Sequence, residues 1–284
     1  MLLAAGLDPC AGAGILADAR VAADHGVRAV GVVTALTVQD TVRAHSAAPV
    51  AATLVEDQLR VLLADVSIDA VKIGMLGSFQ VADAVTRVLC ESSSQIGAPP
   101  KGGCEPSPPP VGGDLRRVLP IVWDPVIAPS RGNARFLAGP QPRHDQEQES
   151  IAALLARCRI VTPNLSEAAF LAHHTAIECL AGMHRAAAAI VARGAAAALV
   201  KGGHLPGPVA MDVFFDGESV LELSESRIER GQPTHGTGCV LSSAIACGLA
   251  LGKSTEDAVR SGKEYLTCKL REAIRVGRGA SCLV

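Results

Sequence analysis

The run Thr234-His235-Gly236-Thr237-Gly238-Cys239-Val240-Leu241-Ser242-Ser243 sets two glycines at the start of a helix predicted over residues 238–250. The first amides of a helix have no acceptor inside it, and the helix dipole adds partial positive charge at that end. Gly236 and Gly238 leave those amides open to a ligand, so the run is a candidate anion hole for a phosphoryl group in transfer. Cys239 stands in the first turn, where a thiolate is favoured. It is a candidate to take a proton from a substrate hydroxyl. The competing reading is a glycine-rich turn with a packed thiol.

Other residues carry related chemistry. Lys201-Gly202-Gly203-His204 closes a predicted strand with a lysine and flexible glycines, which suits a phosphate tail. Asp124 and Glu167 are candidates for water-mediated contact to Mg²⁺ between nucleotide phosphates; helix capping is the alternative for both. Gly12-Ala13-Gly14, after Asp8-Pro9, lets backbone amides approach an anion or a dipolar ring ahead of a helix. Its spacing is not Gly-x-Gly-x-x-Gly and no lysine follows, so it is neither a dinucleotide fingerprint nor a P-loop. His173-His174 is expected on a solvated turn, without the i, i+4 partner of a zinc helix.

These residues need a scaffold that gathers them. Strands are expected at 2–5, 28–34, 70–73, 120–123, 160–162 and 196–201. Helical spacing marks 15–25, 50–64, 79–90, 148–158, 166–172, 177–193, 238–250 and 255–271. Asp216-Gly217 between 211–215 and 219–223 is a hairpin signal. Strands alternating with helices imply an α/β fold, a mainly parallel central sheet flanked by helices on both faces. Ligands in such sheets lie beyond the carboxyl ends of the strands. Thr34, Asp124, Asn164 and Lys201 fall at or just past predicted strand ends, which favours one common cleft. Residues 92–113 are rich in Pro, Gly and Ser and hold Pro108-Pro109-Pro110. They read as a surface insertion within a single domain over 1–284.

Apolar residues make up 49% of the 284 and aromatics only 2%, so the core must be aliphatic, with small residues that let helices lie close to the sheet. The net charge is -2, with no interleaving of aromatic and basic residues, which argues against nucleic acid as a partner. Nine cysteines without a Cys-x-x-Cys pair do not make a disulfide framework and suit a reducing cytoplasm. No signal peptide and no membrane span are expected.

Seven ordered segments carry a resemblance. They are Asp8-Pro9-Cys10-Ala11-Gly12-Ala13-Gly14-Ile15-Leu16-Ala17-Asp18, Val33-Thr34-Ala35-Leu36-Thr37-Val38-Gln39-Asp40-Thr41, Lys72-Ile73-Gly74-Met75-Leu76-Gly77, Asp124-Pro125-Val126, Thr162-Pro163-Asn164-Leu165-Ser166-Glu167-Ala168, Val200-Lys201-Gly202-Gly203-His204 and His235-Gly236-Thr237-Gly238-Cys239. Together they resemble the hydroxymethylpyrimidine/phosphomethylpyrimidine kinases of thiamine biosynthesis, in the ribokinase-like superfamily. The resemblance implies transfer of the ATP γ-phosphoryl group, with Mg²⁺, to the hydroxymethyl of an aminopyrimidine and then to its monophosphate, and a homodimer. It implies that Gln39 reads the pyrimidine edge, that Met75 packs on the ring, and that Gly12, Gly14 and Asp18 lie on the substrate side. Lys201, Asn164, Glu167 and Thr237 would serve ATP, and Asp124 and Glu167 would lie near its metal. Cys239 matches the position where sugar kinases of the superfamily carry an aspartate base. The residue types suit these roles. An amide offers both a donor and an acceptor, a thioether packs well on a flat ring, and phosphoryl transfer asks for positioning and charge neutralisation.

The chain departs from the family pattern in places. Gly6-Leu7 replaces a glycine-serine, and Cys10-Ala11-Gly12 replaces a serine-glycine-glycine, adding a second thiol near the pocket. Ile127-Ala128-Pro129-Ser130-Arg131-Gly132 lacks a lysine that often follows the Asp-Pro-Val segment; Arg131 lies slightly later, and a guanidinium does not reproduce an ammonium's geometry. Two other readings stay open: a pyridoxal or pyridoxine kinase, whose ring carries a comparable hydroxymethyl arm, and a non-catalytic pyrimidine-binding regulatory protein.

Overall fold

The computed structural model describes residues 1–92, 119–127, 144–173, 176–228 and 234–283. Strand β1 (Leu2–Leu7) leads through a turn into α1 (Gly14–Asp24), and β2 (Val30–Gln39) returns parallel to β1. Next come β3 (Ala44–Pro49), α2 (Ala52–Asp65), β4 (Val71–Ile73), α3 (Phe79–Ser92) and β5 (Ile121–Trp123). They are followed by α4 (His144–Leu155), β6 (Ile160–Val161), α5 (Leu165–Leu171), α6 (Leu180–Ala192) and β7 (Ala198–Lys201). The chain ends with β8 (Val209–Phe215), β9 (Val220–Ser226), β10 (Thr234–His235), α7 (Thr237–Ala250), α8 (Thr255–Glu272) and β11 (Ser281–Cys282).

One sheet has the order β3-β2-β1-β4-β5-β6-β7-β8-β9, and β10 pairs separately with β11. The run from β2 to β7 is parallel. The edges, β3 on one side and β8 with β9 on the other, are antiparallel. The expected mainly parallel α/β sheet is therefore the observed one.

Side chains alternate across a strand, and the two faces of the sheet build two cores. Leu2, Ile73, Ile121, Trp123 and Val161 pack with residues of α2, α3, α4, α5 and α6. Leu3, Val122, Ile160, Leu199 and Phe214 pack with α1, α7 and α8. Helices cover both faces, as buried parallel strands require. The hairpin at Asp216 and Gly217 forms as expected: Asp216 Oδ1 accepts from the Ser219 amide at 2.7 Å, and Gly217 takes a φ of 96°.

The main departure is at β2. A strand ending at Thr34 was the expectation, but β2 runs on to Gln39 and turns back through β3. Thr34 is therefore inside a strand and fully buried. The extension gives little apolar signal, because Leu36 is 51% and Val38 62% exposed. The Ala-rich segment Ala44–Pro49 has weak strand propensity. Helix α4 begins at His144, four residues before the expected start. The expected insertion falls, beyond residue 92, outside the described residues, as do Arg131 and His174. His173 is exposed at a φ of 54°. Among the described residues no helix is long and apolar enough to cross a membrane.

Candidate active site

Lys201 ends β7 and Asp124 directly follows β5. Lys201 Nζ donates to Asp124 Oδ1 at 2.7 Å. The two side chains are 15% and 2% exposed, so their attraction is far less screened than that of a surface pair. Gly238 lies against them: a Cβ there would stand 3.0 Å from Lys201 Nζ and 3.3 Å from Asp124 Oδ2. A side chain at 238 would wedge the ion pair away from the helix start. Gly236 takes a φ of 87°, and a Cβ on it would overlap the Gly12 carbonyl oxygen. The first bond of α7 runs from the Val240 amide to the Gly236 carbonyl at 2.9 Å. The amides of Thr237, Gly238 and Cys239 thus precede it without a helical acceptor. An ammonium and a helix N-terminus converge on one spot, which is where an anion is stabilised.

Burial works against the charge on Lys201, but Asp124 and Glu167 outweigh it and hold its pKa above the ordinary value. Burial also raises the pKa of Glu167; Lys201 opposes the rise and Asp124 adds to it. Asn164 and Glu167 are joined in a capping box at the start of α5. Asn164 Oδ1 accepts from the Glu167 amide at 3.0 Å, and Glu167 Oε2 accepts from the Asn164 amide at 2.8 Å. Asn164 is the cap of α5, and it forms a β-bridge to Lys201. The capping alternative for Glu167 is thus realised, in the same cluster as Asp124.

Cys239 corrects one expectation. It is only partly buried as a residue, yet the protein around its thiol pushes the pKa up to about 12. Lys72 and the Gly14 amide pull the other way, while Asp18 and Asp124 add to the rise. Burial is the largest influence on this thiol and works against the thiolate expected in a helix first turn. Cys10 is no better activated, since burial and the charge of Asp8 raise its pKa.

Asp18 is fully buried in α1, with Oδ2 accepting from Lys72 Nζ at 2.7 Å and Oδ1 from the Ser243 hydroxyl at 2.8 Å. Both of its oxygens are thus engaged inside the protein. Burial raises the pKa of Asp18 in spite of Lys72, whereas Asp18 holds Lys72 above its ordinary value in spite of burial. We read the pair as ionised, because a neutral carboxyl would leave a fully buried ammonium uncompensated.

The other end of the cleft is built on Asp8, which is 3% exposed. Its Oδ1 accepts from the Cys10 amide at 2.9 Å and its Oδ2 from the Ala13 amide at 3.0 Å, which shapes the turn carrying Gly12 and Gly14. His235, the residue before Gly236, brings Nε2 to 3.0 Å from Asp8 Oδ2 and 3.2 Å from Gln39 Nε2. Burial opposes the charge on Asp8, but hydrogen bonds from His235, the Cys10 amide and Gln39 keep its pKa below the ordinary value. Met75 is buried with Ala35 beside Ala44, Ala47 and Val126. The Thr34 hydroxyl donates to its carbonyl, and a Cβ on Gly6 would meet its methyl at 2.5 Å.

The phosphomethylpyrimidine kinase family model matches residues 8–97 and 113–283. The chain belongs to the phosphomethylpyrimidine kinase family. The hydroxymethylpyrimidine/phosphomethylpyrimidine kinase of Rhizobium meliloti is 36% identical over 97% of this chain and 92% of its own length. Among solved structures, the phosphomethylpyrimidine kinase of Clostridium difficile matches with a TM-score of 0.72 and 27% identity, covering 95% of this chain and 98% of its own. The pyridoxal kinase of Staphylococcus aureus in complex with AMP-PCP matches with a TM-score of 0.79 and 25% identity, covering 99% and 91%. The fold is ribokinase-like, and the chain is an ATP-dependent kinase acting on a small pyrimidine or pyridine substrate.

In this family member the structure gathers Gly236, Thr237, Gly238, Cys239, Lys201, Asp124, Asn164 and Glu167 at one end. Gln39 and Met75 lie away from it, and the turn that carries Gly12 against Gly236 and the Gly14 amide against Cys239 joins the two. Sequence reasoning did not single out Asp8, His235 or Lys72. Only Lys72 left a signal that could have been used: a lysine between Val71 and Ile73 in a short buried strand demands a buried partner. The link from Asp8 to His235 spans 227 positions, and no spacing rule reaches that far.

Proposed function

We propose that this kinase transfers the γ-phosphoryl group of ATP to the hydroxymethyl of 4-amino-5-hydroxymethyl-2-methylpyrimidine, and then to the resulting monophosphate, in thiamine diphosphate biosynthesis. The observation that carries the reading is the Gly12 turn against the Gly236 helix start, with Gln39 against His235, the residue before Gly236. An aminopyrimidine between Gln39 and Met75 would direct its hydroxymethyl arm to the α7 amides and Lys201. Phosphoryl transfer has a loose transition state with little covalent demand on the protein. Positioning and positive potential from Lys201 and the α7 amides supply most of what is needed, and Cys239, as a neutral thiol, orients the hydroxyl.

Asp124 and Glu167 fit a hard divalent cation, since both offer carboxylate oxygens and each carries charge the other feels. Among the described residues no three His, Cys, Asp or Glu side chains converge on one point, so these two would hold Mg²⁺ through water. Bound there, Mg²⁺ would neutralise charge on the β- and γ-phosphates. We propose further that the protein is a cytoplasmic homodimer. The exposed Leu36, Val38 and Val42 beside the β3 edge support an interface, and the free cysteines support a reducing compartment.

Product analysis with ATP, Mg²⁺ and the pyrimidine alcohol tests the reading. Monophosphate followed by pyrophosphate is expected, and the absence of any phosphorylated pyrimidine would sink it. The pyridoxal kinase reading draws on the higher TM-score of the pyridoxal kinase match. It would win if pyridoxal turnover greatly exceeded pyrimidine turnover in competition.

A further inference from the structure

The loop that follows Lys201 is held more firmly than its exposure requires. His204, Pro206, Gly207 and Pro208 are exposed, yet the loop is tied at its start and along its length. Gly202 is buried, and its amide donates to Asp212 Oδ1 at 3.0 Å. Asp212 is the cross-strand partner of Lys201, and its Oδ2 accepts from Lys263 Nζ of α8 at 2.5 Å. Arg227, the residue after β9, spans the rest of the loop. Its Nη1 donates to the Gly203 carbonyl at 2.6 Å, its Nη2 to that of Leu205 at 2.5 Å and its Nε to that of Gly207 at 2.9 Å. The Arg227 amide donates to the Pro208 carbonyl at 2.8 Å. A guanidinium presents its donors in a flat, rigid fork, which lets one side chain gather three carbonyls. Pro206 and Pro208 fix two further backbone angles.

Phosphoryl transfer sets the attacking and leaving oxygens roughly in line across the transferring group. In the strand order, β1 with its Gly12 turn and β2 with Gln39 lie on one side of β5 and β7, which carry Asp124 and Lys201. An acceptor on that side sends the leaving ADP the opposite way, past β7 toward the 202–208 loop. We infer that Arg227 is a positioning residue for the nucleotide: by gathering the Gly203, Leu205 and Gly207 carbonyls it holds the 202–208 loop in the shape that ADP meets, while Asp212 and Lys263 secure the loop's first amide. The inference rests on the proposed placement of ATP at Lys201, and not on which ring alcohol is the acceptor.

Calorimetric titration with Mg-ADP and steady-state KM values test it. In Arg227→Met the three carbonyl ties are lost, and the nucleotide must order the loop itself. Fixing the backbone of one residue costs about tenfold in affinity. The Kd for ADP and the KM for ATP should therefore rise about tenfold or more, with the KM for the alcohol unchanged. Arg227→Lys keeps the charge but cannot span three carbonyls, so it should weaken the nucleotide as well, and it serves alone if R227M melts below the assay temperature. A merely structural role lowers Tm alone or raises both KM values alike, and either result overturns the inference. An R227K protein that binds ADP as the parent does makes Arg227 a simple charge, which overturns it too. A parent that binds no ADP, or a K201M variant that binds it as tightly as the parent, refutes the placement of ATP and the inference with it; that failure shows without any change at 227.

Discussion

Replacing Lys201 with methionine removes an ammonium and keeps the side chain's bulk. Asp124, 2% exposed, is then left with hydroxyls of Thr162 at 3.4 Å and Ser242 at 3.5 Å, both too long to stabilise a charge well. Breaking a buried ion pair from one side costs about 3–5 kcal/mol. We therefore expect K201M to lose about 3–5 kcal/mol, about 6–20 °C in Tm for a domain of this size. The double variant K201M/D124N carries no unpaired charge and should recover most of the stability. Its kcat should stay about 10²–10³-fold down, as for a lost charge-stabilising donor. Urea unfolding and steady-state kinetics read these outcomes. A double variant as unstable as the single, or a K201M kcat within about threefold of the parent, would refute the reasoning.

Other outcomes follow from the same geometry. The raised pKa of Glu167 means that the folded chain binds this proton more tightly than the unfolded one, so stability is lost as pH rises from the ordinary value of 4.5 toward the raised one. Urea midpoints between pH 5 and 8 should therefore fall more in the parent than in E167Q, and equal slopes would contradict the assigned burial. With its thiol pushed up to about 12, Cys239 should be alkylated by iodoacetamide at pH 8 well after the exposed Cys90, Cys179 and Cys268, as followed by mass spectrometry. C239A should keep its turnover within about tenfold, whereas early labelling of Cys239 or a far larger loss would restore it as a base. Gly236→Ala combines a left-handed backbone with overlap on the Gly12 carbonyl. It should cost more than about 2 kcal/mol and most of the activity; normal melting with normal kcat would show that the two turns do not meet.

Much of the scaffold was legible because its signals are local. The strands of 70–73, 120–123 and 196–201 are short and apolar, and helical periodicity ran between them, so the parallel sheet followed. The Asp216-Gly217 hairpin needed only a turn residue able to take a positive φ. The β2 extension and β3 were not legible, because they stand beyond the sheet body with exposed Leu36 and Val38 and an alanine-rich return strand. That miss matters, because the extension carries Gln39 to His235, next to the start of α7.

By itself, the sequence determined the α/β alternation, the glycine-rich helix start at 236–239 and the family, since each depends on residues near one another in the chain. The tertiary structure decided the protonation and the partners. Burial by elements distant in sequence pushes the Cys239 thiol up to about 12, against the thiolate that its place in a helix first turn suggests. Both oxygens of Asp18 are taken up by Lys72 and Ser243, 54 and 225 positions away. Asp8 and His235 join the two ends of the cleft for the same physical reason: the strength of an electrostatic contact depends on distance and burial in space, and neither can be read from separation along a chain.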